Sequence, residues 1–462
     1  MEGFSIITDK QKQNDTFKSI FECVSKESCI DSEYSSVANG FDLWNYIKKN
    51  ISDAKNKVAF NIFSNQNKLD VNKTSWLRIF DTNYDPSKQN DNCALVEVLN
   101  NIVWFSYRSN IETILYNNNK YNSDGGWGCM IRCGQMILSK GIMMLFDIKN
   151  IQEFLKEKIM LFLDEKISIE RIKTVKGFKK IISLNQHKSV TPPFSLKTIV
   201  LGHPTKAKGP GDWFSNYDVA QIFTALHNQY SPLSDDNTIE IINFNEGTFI
   251  LSDIIEKCFT KTCCSCVAQS FVELSNEERI VNDFVVYCDK NESRRCHCFD
   301  DKFKFDNEYY TFKKKFIIFI SVRHGLNEIE KEMYSKILSF FDFENNIGII
   351  GGKQNRALYF IGKCEDNLIF LDPHYVQNAV TLQDIQQGEG GKTYIPQNIY
   401  YLNISEISPS MTLGFVVRNQ KEFDVMLKRI EAMTKDPKEI SLFDYKERRR
   451  TKKRNGYDPL AI

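Results

Sequence analysis

Short apolar runs constrain the fold of this chain more than any other feature. Phe316–Val322 is continuously apolar, which predicts a strand in the centre of a sheet. Other short runs of the same character predict further strands. They are Trp76–Phe80, Ile239–Phe244, Ile347–Ile350, Leu358–Ile361, Leu368–Leu371 and Phe415–Val417. We expect Leu358–Ile361 and Leu368–Leu371 to form a hairpin that turns near Glu365 and Asp366.

Predicted helices alternate with these strands. Apolar residues spaced three or four apart predict helices at Cys93–Tyr107, Cys129–Phe146, Asp218–Leu226, Ile329–Phe341 and Lys421–Met433. The polar stretches Asp81–Asp91 and Asn117–Asp124 are predicted to be loops. Together these elements predict an α+β (α/β) fold. With 462 residues, 42% of them hydrophobic, the chain can form two or three domains, or one large domain with an appended lobe.

We expect three parts along the chain. Residues 1–70 are polar and are predicted to be a partly ordered N-terminal extension. Residues 71–433 form the main domain, which includes a variable, Cys-rich insertion of irregular structure near residues 255–310. Residues 434–462 are a polar tail with the basic run Lys446–Arg454. Such a run is usually solvated, and the alternative is a contact with anionic lipid headgroups.

Composition excludes some classes of function. Sixty basic and 59 acidic side chains give a formal net charge of +1, whereas a nucleic-acid-binding protein is usually more basic. No apolar run is long enough to span a membrane, and the N-terminus lacks the pattern of a secretory signal. Thirteen cysteines without regular spacing indicate reduced thiols. We therefore expect a cytoplasmic protein that does not bind nucleic acid.

A glycine-rich turn leads directly into one of the predicted helices. Its sequence is Asp124-Gly125-Gly126-Trp127-Gly128-Cys129, and an apolar run follows. Glycine allows a sharp turn and the close approach of another backbone. A cysteine in the first turn of a helix lies where free N–H groups and the helix dipole favour the reactive thiolate. We predict that Cys129 is a nucleophile. The alternative is a cysteine that only packs in the core, as we expect for Cys133.

A carboxylate and an imidazole follow the end of a predicted strand. In an extended segment, residues two apart point to the same side, so Asp372 and His374 are within reach of each other. Pro373, which lies between them, marks the end or edge of the strand. A carboxylate beside an imidazole fixes its tautomer and supports its cationic form, as in catalytic triads. We predict that folding brings His374 to Cys129. The alternative is that Asp372 only caps a turn.

Motifs in the family's order give the chain a specific resemblance to the autophagins, the cysteine proteases of autophagy. The motifs are Trp104-Phe105-Ser106-Tyr107-Arg108, Ser123-Asp124-Gly125-Gly126-Trp127-Gly128-Cys129, Gly211-Asp212-Trp213-Phe214, Gly351-Gly352-Lys353 with Tyr359-Phe360-Ile361-Gly362, and Leu371-Asp372-Pro373-His374. A looser match extends from about Thr74 to Met433. The resemblance implies a papain-like cysteine protease core with a small auxiliary lobe.

The resemblance also implies a substrate and a set of site residues. The substrate would be the ubiquitin-like autophagy modifier, cut after a glycine and also released from phosphatidylethanolamine. Cys129 would be the nucleophile, His374 the base and Asp372 its orienter, while Tyr107 would help to stabilise the oxyanion. Residues at the substrate would be Trp213, over the entrance, and the loop Gly351-Gly352-Lys353, which would move when substrate binds.

Other interpretations stay open. The fold could belong to a non-catalytic modifier-binding protein, or to an enzyme that acts on another ubiquitin-like protein or isopeptide. The chemistry needs no cofactor. Two Cys-rich stretches in the insertion, Cys263-Cys264-Ser265-Cys266 and Cys296-His297-Cys298, are candidates for zinc, although reduced thiols fit their irregular spacing better. Phe4–Ile7 and Tyr457–Leu460 fit a pattern that can add a strand to the modifier's sheet.

Overall fold

A computed structural model provides the coordinates. It describes residues 68–69, 76–173, 175, 177–184, 187–234, 237–262, 303–305, 308–434 and 441–449. All of them fall in the second of the chain's two units, Phe63–Ile462. Within these ranges, no helix combines the length and apolar character needed to cross a bilayer. The candidate zinc ligands, Phe4–Ile7 and Tyr457–Leu460 lie outside the described residues.

A mixed sheet forms the centre of the described unit. Its strands, in chain order, are β1 (Leu77–Ile79), β2 (Thr82–Tyr84), β3 (Ile239–Phe244), β4 (Lys315–Arg323), β5 (Asn346–Lys353), β6 (Arg356–Cys364), β7 (Asn367–Leu371), β8 (Tyr400–Asn403) and β9 (Ser410–Val417). The order across the sheet is β8-β7-β6-β5-β9-β4-β3, and β1 pairs with both β6 and β2. The pair β4 and β3 is parallel, and the other pairs are antiparallel. Each apolar run that predicted a strand lies in this sheet, and β6 and β7 form the predicted hairpin.

Both faces of the sheet are buried, which explains why its strands are continuously apolar. In β4, Ile317 and Phe319 pack into one core, while Phe316, Ile318 and Ile320 pack into a second core on the opposite face. Alternate residues of a strand point to opposite faces, so a strand covered on both sides needs apolar residues at every position. Alternation of apolar and polar residues would have predicted an exposed face.

Helices cover the sheet on both faces. They are Gln89–Asn100, Cys129–Leu145, Ile151–Glu157, Ile169–Ile172, Lys179–Leu184, Leu196–Leu201, Asn216–Tyr230, Leu251–Cys258, Met333–Ser339, Leu382–Gln387 and Gln420–Thr434. Cys129–Leu145, the nucleophile helix, is buried over most of its surface. At Gly141 a β-carbon would lie 2.8 Å from Ile317 Cδ1 of the sheet. The missing side chain therefore lets this helix approach the sheet closely.

The helix predicted at Cys93–Tyr107 is wrong beyond Asn100. The helix spans Gln89–Asn100; the N–H groups of Asn101 and Ile102 still donate to carbonyls of its last turn, whereas later ones bind distant parts of the chain. Trp104 N–H donates to the carbonyl of Tyr394 at 2.8 Å. Residues 102–108 are all buried. A run that is buried at every position has apolar residues at all spacings. These include the spacings of three and four that led to the prediction of a helix.

The loops predicted at Asp81–Asp91 and Asn117–Asp124 are also partly wrong. Strand β2 and the start of a helix lie within the first. Within the second, strand Asn119–Ser123 forms a hairpin with strand Tyr107–Tyr116. Asn117 and Asn118 both have positive φ, 47° and 62°, as a two-residue hairpin turn requires. Asparagine tolerates this conformation, so the polar residues form a turn between two strands.

A second, three-stranded sheet brings distant segments together. Val376–Asn378 pairs in parallel with strand Tyr107–Tyr116, and Val376 lies opposite Tyr107. Tyr107 N–H donates to the carbonyl of Pro373 at 3.0 Å. The segment after β7 is therefore held against Tyr107. This pairing places the Asp372-Pro373-His374 motif beside the motif around Tyr107.

Parts of the predicted insertion and tail are regular. At the two ends of the insertion, strands Phe259–Thr262, Phe303–Phe305 and Glu308–Phe312 form a small sheet. The expectation of irregular structure is wrong for these ends. Within residues 441–449, strand Asp444–Lys446 pairs in parallel with Thr248–Ile250, and Leu442 and Phe443 are buried. The described part of the predicted tail therefore packs against the domain.

Candidate active site

Cys129 is the first residue of its helix, as the sequence predicted. The preceding turn is closed by Gly128 N–H, which donates to the carbonyl of Asp124 at 2.9 Å. Gly126 has φ of +85°, a region that favours glycine. At Gly128 a β-carbon would lie 2.4 Å from Asp124 Oδ2. The turn that presents Cys129 therefore requires glycine at both of these positions. Cys129 itself is half-buried.

Asp372 and His374 form the predicted pair. Oδ1 of Asp372 accepts hydrogen bonds from His374 Nδ1 at 2.5 Å and from the His374 backbone N–H at 3.1 Å. Strand β7 ends at Leu371, so the motif begins where the sheet stops. Because Nδ1 is engaged by Asp372, the other ring nitrogen, Nε2, is left for a different partner. Asp372 thus fixes both the tautomer and the direction of the imidazole.

That partner is Cys129. The side chains of Cys129 and His374 are hydrogen-bonded, although 245 positions separate them in the sequence. Burial would raise the pKa of Cys129, but the hydrogen bond and charge of His374, together with Tyr107 and the Ala357 N–H, lower it below its ordinary value. Burial would lower the pKa of His374, but Asp372 and Cys129 raise it to about 9. His374 is therefore an imidazolium at neutral pH, and the shift at Cys129 favours the thiolate beside it.

Asp372 stays ionised in this arrangement. Burial would raise the pKa of its carboxyl group, yet the hydrogen bond and charge of His374 and the charge of Arg356 hold the pKa below its ordinary value. A carboxylate that is ionised at neutral pH can support an imidazolium throughout a reaction cycle. The three groups thus have the charges that an activated cysteine needs.

Tyr107 lies on the other side of the thiol. Its hydroxyl is hydrogen-bonded to Cys129, and its ring meets the ring of His374 edge to face with centroids 5.5 Å apart. Burial raises the pKa of Tyr107 well above its ordinary value, and the neighbouring thiolate adds to this effect. The phenol therefore stays protonated and can donate a hydrogen bond to an anion at this position.

The predicted substrate-binding residues border the same turn. Trp213 is 56% exposed, and its Nε1 donates to the carbonyl of Gly126 at 2.9 Å. The indole therefore lies against the turn before Cys129. Gly351, Gly352 and Lys353 end β5, and their strand pairs with β6, whose Ala357 N–H reaches the sulfur. Gly351 and Gly352 are buried, whereas Lys353 is partly exposed.

Two supporting contacts to Asp372 were not predicted from the sequence. Arg356 Nη2 donates to Asp372 Oδ2 at 2.5 Å, and Trp104 Nε1 donates to the Asp372 carbonyl at 2.8 Å. Trp104 was part of a recognised motif, although it was assigned to a helix. Arg356 lies five residues after Gly351 and gave no signal of its own. Only the β5–β6 hairpin shows that it reaches the carboxylate.

A buried charge network behind the turn was also missed. Arg132, 1% exposed, donates through Nε to Asp124 Oδ2 at 2.7 Å and through Nη2 to Asp164 Oδ2 at 2.8 Å. Asp124 Oδ1 accepts the Arg108 backbone N–H at 2.6 Å. Its carboxylate therefore joins the nucleophile helix to the strand that carries Tyr107. The sequence could have indicated the pair of Asp124 and Arg132, which lie eight residues apart. It gave no indication of Asp164.

Cys133 behaves as the core residue that we expected. It is fully buried, and burial raises the pKa of its thiol well above the ordinary value. The contrast with Cys129, one helical turn away, separates a reactive thiol from an inert one. Among the described residues, no group of three or more His, Cys, Asp or Glu side chains could hold a metal ion.

Comparisons with known proteins identify the family. The family model described as the peptidase C54 catalytic domain matches residues 92–429, more than half of the chain. Cysteine protease ATG4A of Mus musculus is 26% identical over 332 residues, which cover 70% of each chain. Cysteine protease ATG4B of Xenopus laevis is 24% identical over 360 residues, 75% of this chain and 78% of the relative. A probable cysteine protease atg4 of Aspergillus niger is 24% identical over 367 residues, 72% of each chain. The chain therefore belongs to the peptidase C54 family of cysteine proteases, the autophagins that its motifs resemble, and has their papain-like α+β fold.

Proposed function

We propose that this cysteine protease cleaves the ubiquitin-like autophagy modifier after a glycine near its C-terminus, and that it also releases the modifier from phosphatidylethanolamine. Cys129 is the nucleophile, His374 the acid and base, and Asp372 the residue that orients His374. The hydrogen-bonded pair of Cys129 and His374 carries this proposal. Family membership supports it independently.

The reaction follows from the charges of these groups. The Cys129 thiolate attacks the glycine carbonyl and forms a tetrahedral oxyanion, and Tyr107 and the Cys129 N–H are positioned to donate to it. His374 gives its proton to the leaving amine, which departs and leaves a thioester on Cys129. His374 then takes a proton from water, and the resulting hydroxide releases the glycine carboxylate. In both reactions the amine leaves in the same way, whether it belongs to a peptide or to phosphatidylethanolamine.

The surroundings of Cys129 support a preference for glycine. Trp213 borders the nucleophile turn, and the backbone of Gly351 and Gly352 lies in the hairpin that reaches the sulfur. We propose that Trp213 and the end of β5, which is a strand at Gly351, Gly352 and Lys353 and not the expected loop, enclose the C-terminal segment of the modifier. Walls this close to the thiol suit a residue without a side chain.

A cleavage assay with Cys129→Ala tests the proposal. The purified full chain is incubated with modifier that carries extra residues beyond the glycine, and products are identified by mass. The wild type should cut after the glycine, and Cys129→Ala should not. Cys133→Ala, in the same helix, is the matched control and should retain activity. Equal cutting by wild type and Cys129→Ala would disprove the assignment of the nucleophile.

Two further arms separate the alternative functions. Ubiquitin with a C-terminal extension, tested side by side, should stay uncut; preferential cutting of ubiquitin would refute the proposed substrate. Modifier conjugated to phosphatidylethanolamine in vesicles should be released, and failure here with normal precursor cleavage would remove the deconjugation part. A non-catalytic homologue would cut neither and would leave Cys129 unlabelled by a glycine vinyl ester probe.

The cellular setting follows from the proposed chemistry. Cys93, Cys129, Cys133, Cys258 and Cys364 are free thiols, as a reducing cytoplasm allows. We propose that the protein acts in the cytoplasm and contacts the autophagosomal membrane peripherally when its lipid-linked substrate is there. Fractionation of cells should find it with cytosol. Stable retention on membranes after a salt wash would contradict this location.

A further inference from the structure

We propose that Arg356 is a positioning residue of the active site, which holds the Asp372 carboxylate for His374 and connects it to the hairpin that contacts Cys129. The inference rests on the proposed roles of Asp372 and His374. It concerns a residue that none of the recognised motifs contains.

The carboxylate of Asp372 divides its two oxygens between two partners. Oδ1 accepts from His374, while Oδ2 accepts from Arg356 Nη2 at 2.5 Å. The side chains of Arg356 and Asp372 are only 8% and 1% exposed, so solvent screens this pair little. With both oxygens engaged, the carboxylate cannot rotate without losing a charge-assisted hydrogen bond.

Arg356 is placed by the same hairpin that reaches the nucleophile. It begins β6, opposite Lys353, and Ala357, the next residue, lies opposite Gly352 and donates its N–H to Cys129. Arg356 and Ala357 follow each other in the sequence, and they contact Asp372 and Cys129, respectively. At Gly352 a β-carbon would lie 1.9 Å from the Arg356 carbonyl, so the hairpin strands are closely apposed. A shift of the hairpin would therefore move both contacts together.

The other support of Asp372 differs in kind. Trp104 Nε1 binds the backbone carbonyl of Asp372 and brings no charge to the carboxylate. The titratable and charged groups that face Asp372 from the packed elements are His374, Arg356, Tyr107, Cys133 and Tyr400. Arg356 is the guanidinium among them, and arginine side chains in proteins carry a permanent positive charge. Loss of this cation should make the carboxylate easier to protonate, and the imidazolium less well supported in acid.

Steady-state kinetics of Arg356→Gln against pH test the inference. We expect kcat on modifier precursor to fall on the order of tenfold at neutral pH, with KM within about twofold, because orientation and not substrate binding is lost. We also expect the acid limb of kcat/KM to move up by about one pH unit, as for a carboxylate that loses an adjacent cation. Alkylation of Cys129 by chloroacetamide, followed by peptide mass spectrometry, should show the same shift without any substrate.

Three variants make the test specific. Arg356→Lys keeps the cation and should keep the acid limb near its wild-type position. Arg418→Gln, which removes an arginine from a partly exposed pair with Glu422 away from the site, should match wild type in every measurement. Thermal unfolding monitors folding, and if Arg356→Gln does not fold, Arg356→Met takes its place as the neutral variant.

The possible results separate the inference from the proposed function. An unchanged acid limb in the neutral variant, or an equal shift in Arg356→Lys, would overturn the positioning role. A higher KM with unchanged kcat would also overturn it, because Arg356 would then be a substrate contact. Failure of the wild type to cut the modifier would contradict the proposed substrate, while the alkylation profile would still decide the role of Arg356.

Discussion

Replacement of Arg132 by methionine should destabilise the protein strongly. Arg132 is the cation of a buried network with two carboxylates, Asp124 and Asp164, at 2.7 and 2.8 Å. Methionine fills much of the space of the arginine stem but provides neither charge nor hydrogen-bond donors. The substitution therefore leaves both carboxylates without their cation in a region from which water is excluded.

The size of the effect follows from burial. The Asp124 side chain is 0% exposed and that of Asp164 is 8% exposed. Removal of one partner from a buried pair typically costs about 3–5 kcal/mol, because the remaining charge is uncompensated. Asp124 keeps one strong partner, the Arg108 N–H at 2.6 Å, and Asp164 keeps the Leu196 N–H at 2.7 Å. We therefore expect a loss at the lower end of the range, about 3 kcal/mol.

The pH dependence of this loss gives a second, independent check. Burial already raises the pKa of Asp124, and Arg132 opposes this effect. Without Arg132 the folded-state pKa rises further above the unfolded value, so the folded state binds more protons than the unfolded state. Stability of the variant then falls as pH rises through the folded pKa. The gap between Arg132→Met and wild type should therefore be smaller at pH 5 than at pH 7.5.

Urea unfolding of both proteins at the two pH values measures the effect. Arg418→Met is the matched control, because Arg418 pairs with Glu422 at the surface and is 39% exposed. Surface pairs contribute about 0–1 kcal/mol, so this variant should stay within about 1 kcal/mol of wild type. A similarly small change for Arg132→Met, or a gap that widens towards acid, would refute the electrostatic reasoning.

Four further outcomes can be measured. Tyr107→Phe should reduce kcat about 10²–10³-fold if its hydroxyl donates to the oxyanion, and an unchanged kcat would refute that role. Gly128→Ala should impair folding or activity, because the added carbon would lie 2.4 Å from an oxygen of the preceding turn; wild-type stability and rate would show that the turn adapts. The activity of the wild type should persist above neutral pH and decline as His374 loses its proton near its pKa of about 9, and a decline centred near pH 6.5 would contradict the ion pair. Peroxide should inactivate the enzyme by oxidising Cys129 while Cys133 stays reduced, with recovery in dithiothreitol, and full activity under peroxide would remove this prediction.

The elements of the sheet could be predicted because its signal is local. Ile239–Phe244 matches the observed strand, and Phe316–Val322 is shorter than strand β4 by one residue at each end. Apolar residues at every position were sufficient, since both faces are covered. The same signal failed at Ile102–Phe105, because an irregular segment buried on all sides has the same composition. The pattern of apolar residues indicates which positions are buried. It does not show whether the backbone hydrogen bonds of a segment are made within that segment or with distant parts of the chain.

The site could be predicted only as far as its residues lie close together in the sequence. Asp372 and His374 are two positions apart, so strand geometry alone places them together. The contact of His374 with Cys129 was a prediction from chemistry and resemblance, and no spacing rule could supply it. Arg356 and Asp164 could not be found, because each reaches the site through pairing or packing of an element whose neighbours are unknown from one sequence.

Two parts of the structure favour the thiolate of Cys129: the N-terminus of its helix and the imidazolium of His374. Its helix has glycine at the N-cap and no acidic residue in its first turn, so no side chain at these positions offsets the positive end of the helix dipole. By contrast, Ser215 and Asp218 cap helix Asn216–Tyr230. A helix terminus stabilises an anion by about 0.3–1 kcal/mol, whereas opposite charges 4 Å apart at an effective dielectric constant of 20 attract by about 4 kcal/mol. The imidazolium of His374 is therefore the main cause of the thiolate, and the helix terminus is an additional one. Since that imidazolium depends on Asp372, the reactivity of a residue at the start of one helix is controlled by a carboxylate at the end of a strand.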